Sequence, residues 1–129
     1  MNIILSIHTK HAENIYSGKK IFELRTQMPK KLKIGETVWL YETSPVMRIT
    51  GFFVFDGFIS GCNASFISVI ENGSCVKKEA IKSYYMHNLI TGKTCHAMIV
   101  SCPKRLKIPI KPNWKRPPQN FCYGDAFNI

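Results

Sequence analysis

The chain has 129 residues, close to the commonest size of a single domain, so its length allows one hydrophobic core and excludes two. A hydrophobic content of 45% and an aromatic content of 12% exclude a disordered chain, which lacks the apolar surface needed to offset the entropy of ordering. The net charge of +10 attracts polyanions and favours an anionic partner, the alternative being lysines that only keep a small protein soluble.

The cysteine and hydropathy patterns argue against a disulfide framework, a metal site and a membrane span. The five cysteines form no CxxC pair and have no Cys/His spacing typical of structural zinc. The pair His8-x-x-His11 could begin a metal site only if a carboxylate converged on it, so neither a metal nor another cofactor is expected. The apolar run after Met1 is too short for a signal peptide or a membrane span. These features predict a protein of the reducing cytoplasm with no membrane partner, and they leave its oligomeric state open.

Short strands and one helix are predicted at the start of the chain. Residues 3–7 are a β-branched run that predicts a buried strand. Residues 9–16 predict a helix with Thr9 as its N-cap and Gly18 as its stop. Residues 21–25 return to a period of two, so we expect a strand with an apolar face towards the core and a polar face for solvent or chemistry.

The middle of the chain is predicted to be mainly strand, followed by helices. Further strands are predicted over residues 37–42, 46–60 and 94–101. The second of these is long enough for one bent strand or two, with Gly51 or Gly57 as the bulge position. Between residues 63 and 88 the apolar spacing predicts two short helices separated by a turn at residues 72–74.

The chain is predicted to change character after Cys102. Prolines recur there, with six Lys or Arg and no acidic residue between positions 104 and 116, so this segment is expected to be extended. We therefore expect a domain over residues 1–102 and a basic, Pro-rich extension over residues 103–129 packed on the same domain. The order of elements favours an α+β barrel-like sheet over βαβ units.

A short motif resembles a known family. Gly18-x-Lys20-x-x-Glu23-x-Arg25 follows the G-x-K-x-x-E-x-R pattern of ASCH domains, in the expected context of a helix before it and a strand through it. The flanking segments are similar as well, and they comprise Leu5-Ser6-Ile7, Ile15-Tyr16-Ser17, Lys33-Ile34-Gly35-Glu36, Tyr41 to Val46 and Pro117 to Phe121. The resemblance covers most of residues 3 to 121 and implies a PUA-like mixed β pseudobarrel with short capping helices.

The resemblance implies a polar cleft beside the glycine turn that takes RNA or a modified nucleoside. Members of the family include presumed RNA binders, a ribonuclease and an amidohydrolase that acts on N4-acetylcytidine with a lysine, a threonine and a glutamate. The lysine matches Lys20, and the glutamate is best matched by Glu71. Glu23 occupies the threonine position, and a carboxylate cannot be activated by deprotonation as a hydroxyl can.

The motif's charged residues are the candidate ligand-binding groups. Arg25 offers a planar fork to a phosphate, and Glu23 can accept from a base amino group, with Lys20 at the entry to the strand. An ion pair that only closes the barrel is the alternative. Thr43 and Ser44, in a turn before a proline, could expose backbone N–H groups to an anion, or could form an ordinary turn.

Two further groups of side chains suit a nucleic-acid strand. Trp39 and Tyr41 share a face of one strand and could stack on a base, although aromatic residues of small barrels are commonly core. His96 could act as a general base in a nuclease or lie at the rim of the core. The candidate contacts to a phosphate backbone, for which a solvated surface is the alternative, are Lys30, Lys31, Lys33, Lys104, Arg105 and Lys107.

The leading hypothesis from the sequence is therefore an RNA- or nucleotide-binding module with a cleft at Lys20, Glu23, Arg25, Thr43 and Ser44. The alternative is a small nucleic-acid enzyme, either an N4-acetylcytidine-type amidohydrolase that uses Lys20 with Glu71 or a ribonuclease that uses lysine and serine groups. A partner-binding protein whose charge only aids solubility is a third interpretation.

Overall fold

A computed structural model describes residues 1–128. Its secondary structure consists of six strands, four helices and a final 3₁₀ turn. In chain order the elements are β1 (Ile3–Ile7), α1 (Thr9–Tyr16), β2 (Phe22–Leu24), β3 (Thr37–Glu42), β4 (Arg48–Gly61), α2 (Ala64–Ser74), α3 (Lys78–Tyr84), α4 (Met86–Thr91), β5 (Cys95–Ile110), β6 (Phe121–Tyr123) and the turn Ala126–Asn128.

The six strands form one mixed sheet with the order β2-β5-β4-β3-β1-β6. Strands β1 and β3 are parallel, and every other neighbouring pair is antiparallel. Parallel neighbours need a crossover connection, and here α1 and β2 lie in that connection. The architecture is an α+β pseudobarrel with short helices at its ends, as the sequence predicted.

Two of the hydrophobic clusters explain why these segments fold together. Strand β1 is buried along its whole length, and its residues pack with one face of α1, centred on Ala12 and Ile15, and with Phe53 and Phe55 of β4. A second cluster lies under α2 and α3, where Phe66, Ile70 and Tyr85 cover the β2 end of the sheet. The sheet is thus covered on the inside by α1 and at one end by the later helices.

The structure corrects the predicted helix boundaries. Thr9 is inside α1, and His8 is the N-cap, because the extended backbone of His8 turns its carbonyl towards the N–H groups of His11 and Ala12. The turn predicted at residues 72–74 is also wrong. Gly73 lies within α2, where a Cβ would come within 2.6 Å of the Phe22 ring, so glycine here permits close packing and not a turn.

The helical region contains three helices where two were expected, and α2 ends at Ser74 with Cys75 in a left-handed conformation. The strand predicted over residues 46–60 is a single strand, β4 (Arg48–Gly61), whose pairing with β5 has register irregularities at three places. Strand β5 continues past residue 102 to Ile110, so the expected boundary at residues 102 and 103 does not coincide with the end of an element. The C-terminal segment also adds β6, which the sequence did not predict and which pairs with β1.

Within residues 1–128, no helix is both long enough and apolar enough to cross a membrane.

Candidate functional site

An open cleft of about 420 Å³, called here the Lys20 cleft, lies where β2 meets α1 and α3. Its polar lining comes from His8, His11, Lys20, Glu23, Arg25 and Tyr84. Its apolar lining comes from Leu24, Val76 and Ala80. The volume lies at the lower end of the range for small-ligand sites, about 300 to 1,000 Å³. The motif that carried the family resemblance therefore faces a cavity.

Lys20 is the most deeply buried cation of this cleft, with only 2% of its surface exposed. Its Nζ donates to the carbonyl of Ser74 at the end of α2, over 2.6 Å, and lies 3.5 Å from Oε1 of Glu23. Burial lowers the pKa of Lys20, and the carboxylate of Glu23 opposes this shift. A lysine held in this way has exchanged most of its water for protein atoms.

Glu23 and Arg25 form a close ion pair beside Lys20. Oε2 of Glu23, whose residue is 4% exposed, accepts from Nε of Arg25 over 2.9 Å and lies 2.7 Å from its Nη2. The same carboxylate thus contacts two cations, and the cleft retains one positive charge without a counterion. The predicted ligand-binding trio is brought together, with its carboxylate already engaged.

Arg25 also joins the two edges of the sheet. Its Nη1 donates to the Asn120 side chain over 3.0 Å, and its Nη2 donates to the carbonyl of Ser6 in β1 over 2.9 Å. Arg25 follows the edge strand β2, whereas Asn120 precedes the opposite edge strand β6. Each guanidinium nitrogen therefore has a protein partner, and the contacts of Arg25 with Ser6 and Asn120 close the pseudobarrel. Arg25 therefore has the structural role that the sequence left open as an alternative, and it also lines the cleft.

Two histidines complete the polar wall of the cleft. His8 Nδ1 lies 3.2 Å from Oγ1 of Thr43, and the ring centroid of His8 is 6.5 Å from that of His11. Nδ1 of His11 is buried and has no hydrogen-bond partner among the described residues. Burial, followed by the charge of Lys20, lowers the pKa of His11, so its ring is neutral near pH 7.

These histidines were considered in the sequence only as metal ligands. Although both line a cleft that also contains Glu23, no group of three or more potential metal ligands with a suitable arrangement occurs within residues 1–128. Their spacing of three residues, at the start of a helix after a buried strand, was the signal that both would face the same side. Tyr84, which the sequence does not indicate as a site residue, also lies in the cleft wall.

Glu71 is not part of this site. Its residue is exposed, and its Oε2 accepts from the backbone N–H of Lys78 at the start of α3 over 2.8 Å. Lys20 instead contacts the carbonyl of Ser74, one turn further along α2. The predicted catalytic pair of Lys20 and Glu71 is therefore wrong, because the side chain of Glu71 points outward from α2 and holds the next helix.

The turn after β3 contributes at the edge of the cleft. Thr43 contacts His8, a residue of the lining, whereas Ser44 is exposed and does not line the cleft. The stacking interpretation of Trp39 and Tyr41 is wrong, because both are buried in a third cluster in which Tyr41 packs edge-on against Trp114.

The predicted basic residues separate into two groups. Lys30 and Lys31 line a second, larger concavity of about 780 Å³, called here the Phe58 groove. The aromatic and imidazole rings of this groove belong to Phe58, His96, Phe121 and Tyr123. Lys33 is exposed just beyond it in the chain. Lys104, Arg105 and Lys107 are exposed on β5, where the guanidinium of Arg105 lies over the Tyr16 ring.

Comparison with known proteins gives one sequence match and several structural matches. No family model matches the chain. An ASCH domain-containing ribonuclease from Zymomonas mobilis subsp. mobilis is 31% identical over 58 residues, which are 45% of this chain and 38% of that protein's length. The crystal structure of ASCH from Zymomonas mobilis superimposes with a TM-score of 0.82 at 20% identity, over 98% of this chain and 89% of that one. The chain has the same fold as this ASCH protein.

Crystal structures of two single-residue variants of that protein share the fold of this chain as well. Their TM-scores are 0.82 and 0.80, both at 20% identity and over 96% of this chain. The fold class predicted from the sequence is thereby confirmed.

Proposed function

We propose that this ASCH domain binds RNA and takes one nucleotide into the Lys20 cleft. The observation that carries the proposal is the buried Lys20 ammonium in an open cavity where two cations face one carboxylate. A phosphate or a polar base edge supplies the acceptors that such a cation lacks when its water is removed. The size of the cleft suits a ligand of about one nucleotide.

Two further observations support RNA as the ligand. The net charge of +10 provides a long-range attraction for a polyanion. The sequence relative from Zymomonas mobilis is named as a ribonuclease, a protein that acts on RNA, although the aligned region is only 38% of its length. The lysines of the Phe58 groove and of β5 are proposed to contact the phosphate backbone, as predicted from the sequence.

A binding experiment tests this proposal. Affinity of the purified protein for fluorescein-labelled octauridylate is measured by anisotropy, with Lys20→Met as the variant that removes the charge and keeps the volume. The loss of a charge-assisted hydrogen bond is expected to weaken binding by about 10- to 150-fold. Lys93→Met is the matched control, because Lys93 is exposed and lines neither cavity.

A second variant keeps the test decisive if Lys20→Met fails to fold. Ala80 is exposed on α3 and lines the cleft, so Ala80→Trp fills the cavity without touching the Lys20 contacts. Weak binding by both variants supports the cleft as the site. Binding that is unchanged in the folded Lys20→Met and Ala80→Trp proteins, or absent from the parent protein, refutes the proposal.

RNA cleavage in the same cleft is a second candidate function, favoured by the two histidines. A neutral His11 can remove the proton of a ribose 2′-hydroxyl, whose oxygen then attacks the adjacent phosphorus. His8 can protonate the leaving 5′-oxygen, and Lys20 can stabilise the charge that develops on the phosphate. The products of this step are a 2′,3′-cyclic phosphate and a free 5′-hydroxyl, and no water is consumed.

Cleavage is tested by incubating the protein with octauridylate and with its 2′-deoxy counterpart. We expect cyclic phosphate ends from the ribo-oligonucleotide alone, and a loss of rate of about 10²- to 10⁴-fold in His11→Gln, the range for one general base. His87→Gln is the control, since His87 is exposed on α4 and lines neither cavity. Equal cleavage of the deoxy-oligonucleotide, or an unchanged rate in His11→Gln, contradicts this mechanism.

The amidohydrolase alternative is not supported by the geometry. It required Lys20 to work with Glu71, and Glu71 is engaged at the start of α3. The carboxylate nearest to Lys20 is Glu23, which occupies the position where the resemblance called for a hydroxyl and is held by Arg25.

A further inference from the structure

The Phe58 groove and the Lys20 cleft lie on either side of one short stretch of chain. Leu24 and Arg25 line the cleft, and the next three residues, 26 to 28, line the groove. The hydroxyl of Tyr84, in the cleft wall, accepts from the backbone N–H of Thr26 over 3.1 Å. A ligand that leaves the cleft across Thr26 therefore enters the groove.

The groove combines cations with aromatic rings, of which Phe58 is exposed and Phe121 and Tyr123 are half-buried. Phe58 is 39% exposed, although it packs edge-on against Phe55 with ring centroids 4.8 Å apart. Phe121 and Tyr123 are two residues apart on β6 and therefore share one face of the strand. The Lys31 ammonium lies 5.7 Å from the centre of the Tyr123 ring, and the exposed Lys30 lines the same groove.

This combination matches the chemistry of a single strand of nucleic acid. Ammonium groups hold the phosphates, and aromatic faces stack on bases irrespective of their identity. Bases inside a duplex are stacked on one another and do not reach such rings, so the strand must be unpaired. At about 780 Å³ the groove is almost twice the volume of the cleft and has room for more than one nucleotide.

We infer that the Phe58 groove binds the nucleotides that flank the one in the Lys20 cleft, so that the ligand is a segment of single-stranded RNA and not a free nucleotide. This inference rests on the proposed function of the cleft. It assigns a base-stacking role to Phe58 and phosphate contacts to Lys30 and Lys31. Affinity must then depend on the length of the RNA.

The test compares octauridylate, diuridylate and uridine monophosphate as ligands of the full chain. Phe58→Ala is expected to weaken octauridylate binding by roughly 5- to 150-fold, the range for one base stacked on an aromatic ring, and to leave binding of the monophosphate unchanged. Phe127→Ala is the matched control, since Phe127 is also an exposed phenylalanine in edge contact with an aromatic ring, Trp39, and lines neither cavity.

A charge-reversal pair serves if Phe58→Ala is unstable. Lys30→Glu is expected to weaken octauridylate binding more than Lys93→Glu does, because both lysines are exposed and only Lys30 lines the groove.

Two results would show that the inference is wrong while the proposed function stands. In the first, octauridylate binds no more tightly than the monophosphate. In the second, the groove variants bind octauridylate as the parent does and Lys20→Met does not. If the groove variants lose binding and Lys20→Met keeps it, the groove is upheld and the cleft is not the site. If the parent binds none of the three ligands, both proposals are refuted.

Discussion

Replacing Arg25 by methionine tests whether this side chain closes the barrel. The guanidinium contacts Glu23, Asn120 and the carbonyl of Ser6, so one side chain connects the two edge strands of the sheet. Methionine keeps most of the aliphatic volume and removes every one of these contacts. Glu23 would then retain only Lys20, at 3.5 Å, as a charged partner.

The expected cost follows from burial. Glu23 is 4% exposed, and removing one partner of a buried ion pair destabilises proteins by about 3 to 5 kcal/mol, because the remaining charge loses its compensation. An exposed ion pair contributes only about 0 to 1 kcal/mol. We therefore expect Arg25→Met to lower the free energy of unfolding by about 3 to 5 kcal/mol.

Urea denaturation followed by circular dichroism measures this change, with Arg116→Met as the control because Arg116 is exposed. The double variant Glu23→Gln/Arg25→Met should cost less than the sum of the two single changes, because either change alone already breaks the Glu23–Arg25 pair, whereas Lys20 loses its carboxylate in the single Glu23→Gln and the double variant alike. A cost for Arg25→Met below about 1 kcal/mol, equal to that of a surface pair, would show that the barrel does not depend on this closure.

Three further predictions concern other parts of the molecule. Burial lowers the pKa of His11, so as the pH falls the imidazole takes up a proton in the unfolded chain before it does so in the folded protein. The free energy of unfolding should therefore decline below about pH 6.5, by less than about 1.4 kcal/mol per pH unit. His11→Gln should flatten this decline. Gly51→Ala should cost about 1 to 3 kcal/mol or more in urea unfolding, because its Cβ would lie 2.3 Å from the Lys104 carbonyl and 2.6 Å from the Tyr16 ring. If Lys107 contacts a phosphate, Lys107→Ala should reduce the salt dependence of octauridylate binding by about one unit of slope.

Each of these has a result that contradicts it. His11 faces Lys20, Glu23, His8 and Lys10, so a pH profile identical in the parent and His11→Gln would assign the decline to another of these groups or to none. A Gly51→Ala protein as stable as the parent would mean that β4 and β5 separate at little cost. An unchanged salt slope in Lys107→Ala would place Lys107 outside the RNA contact surface.

Local sequence patterns were sufficient to predict the secondary structure of a segment where its own hydrophobic periodicity decided between strand and helix. The strands at residues 3–7 and 37–42 were predicted at their observed bounds, because β-branched and aromatic runs ended by turn residues have few alternatives. The end of α2 was not predictable in this way. Gly73 has the composition of a turn, but its neighbour in space is Phe22, some fifty positions earlier in the chain, and that contact keeps it helical.

Strand β5 was predicted too short for a related reason. Prolines at 103 and 109 argue against a strand when read alone, yet both lie within β5, which pairs with the long β4 through a register that shifts several times. Such irregular pairing depends on the partner strand and has no local signature.

The sequence by itself predicted the fold and identified the polar groups, because Gly18, Lys20, Glu23 and Arg25 stand at a fixed spacing around one strand. Tertiary structure alone decided what those groups do. It buried Lys20 against α2, turned Arg25 towards the opposite edge of the sheet, excluded Glu71 and added two histidines. The physical reason is that the burial and pairing of a charge depend on side chains far away in the chain, which no local pattern encodes.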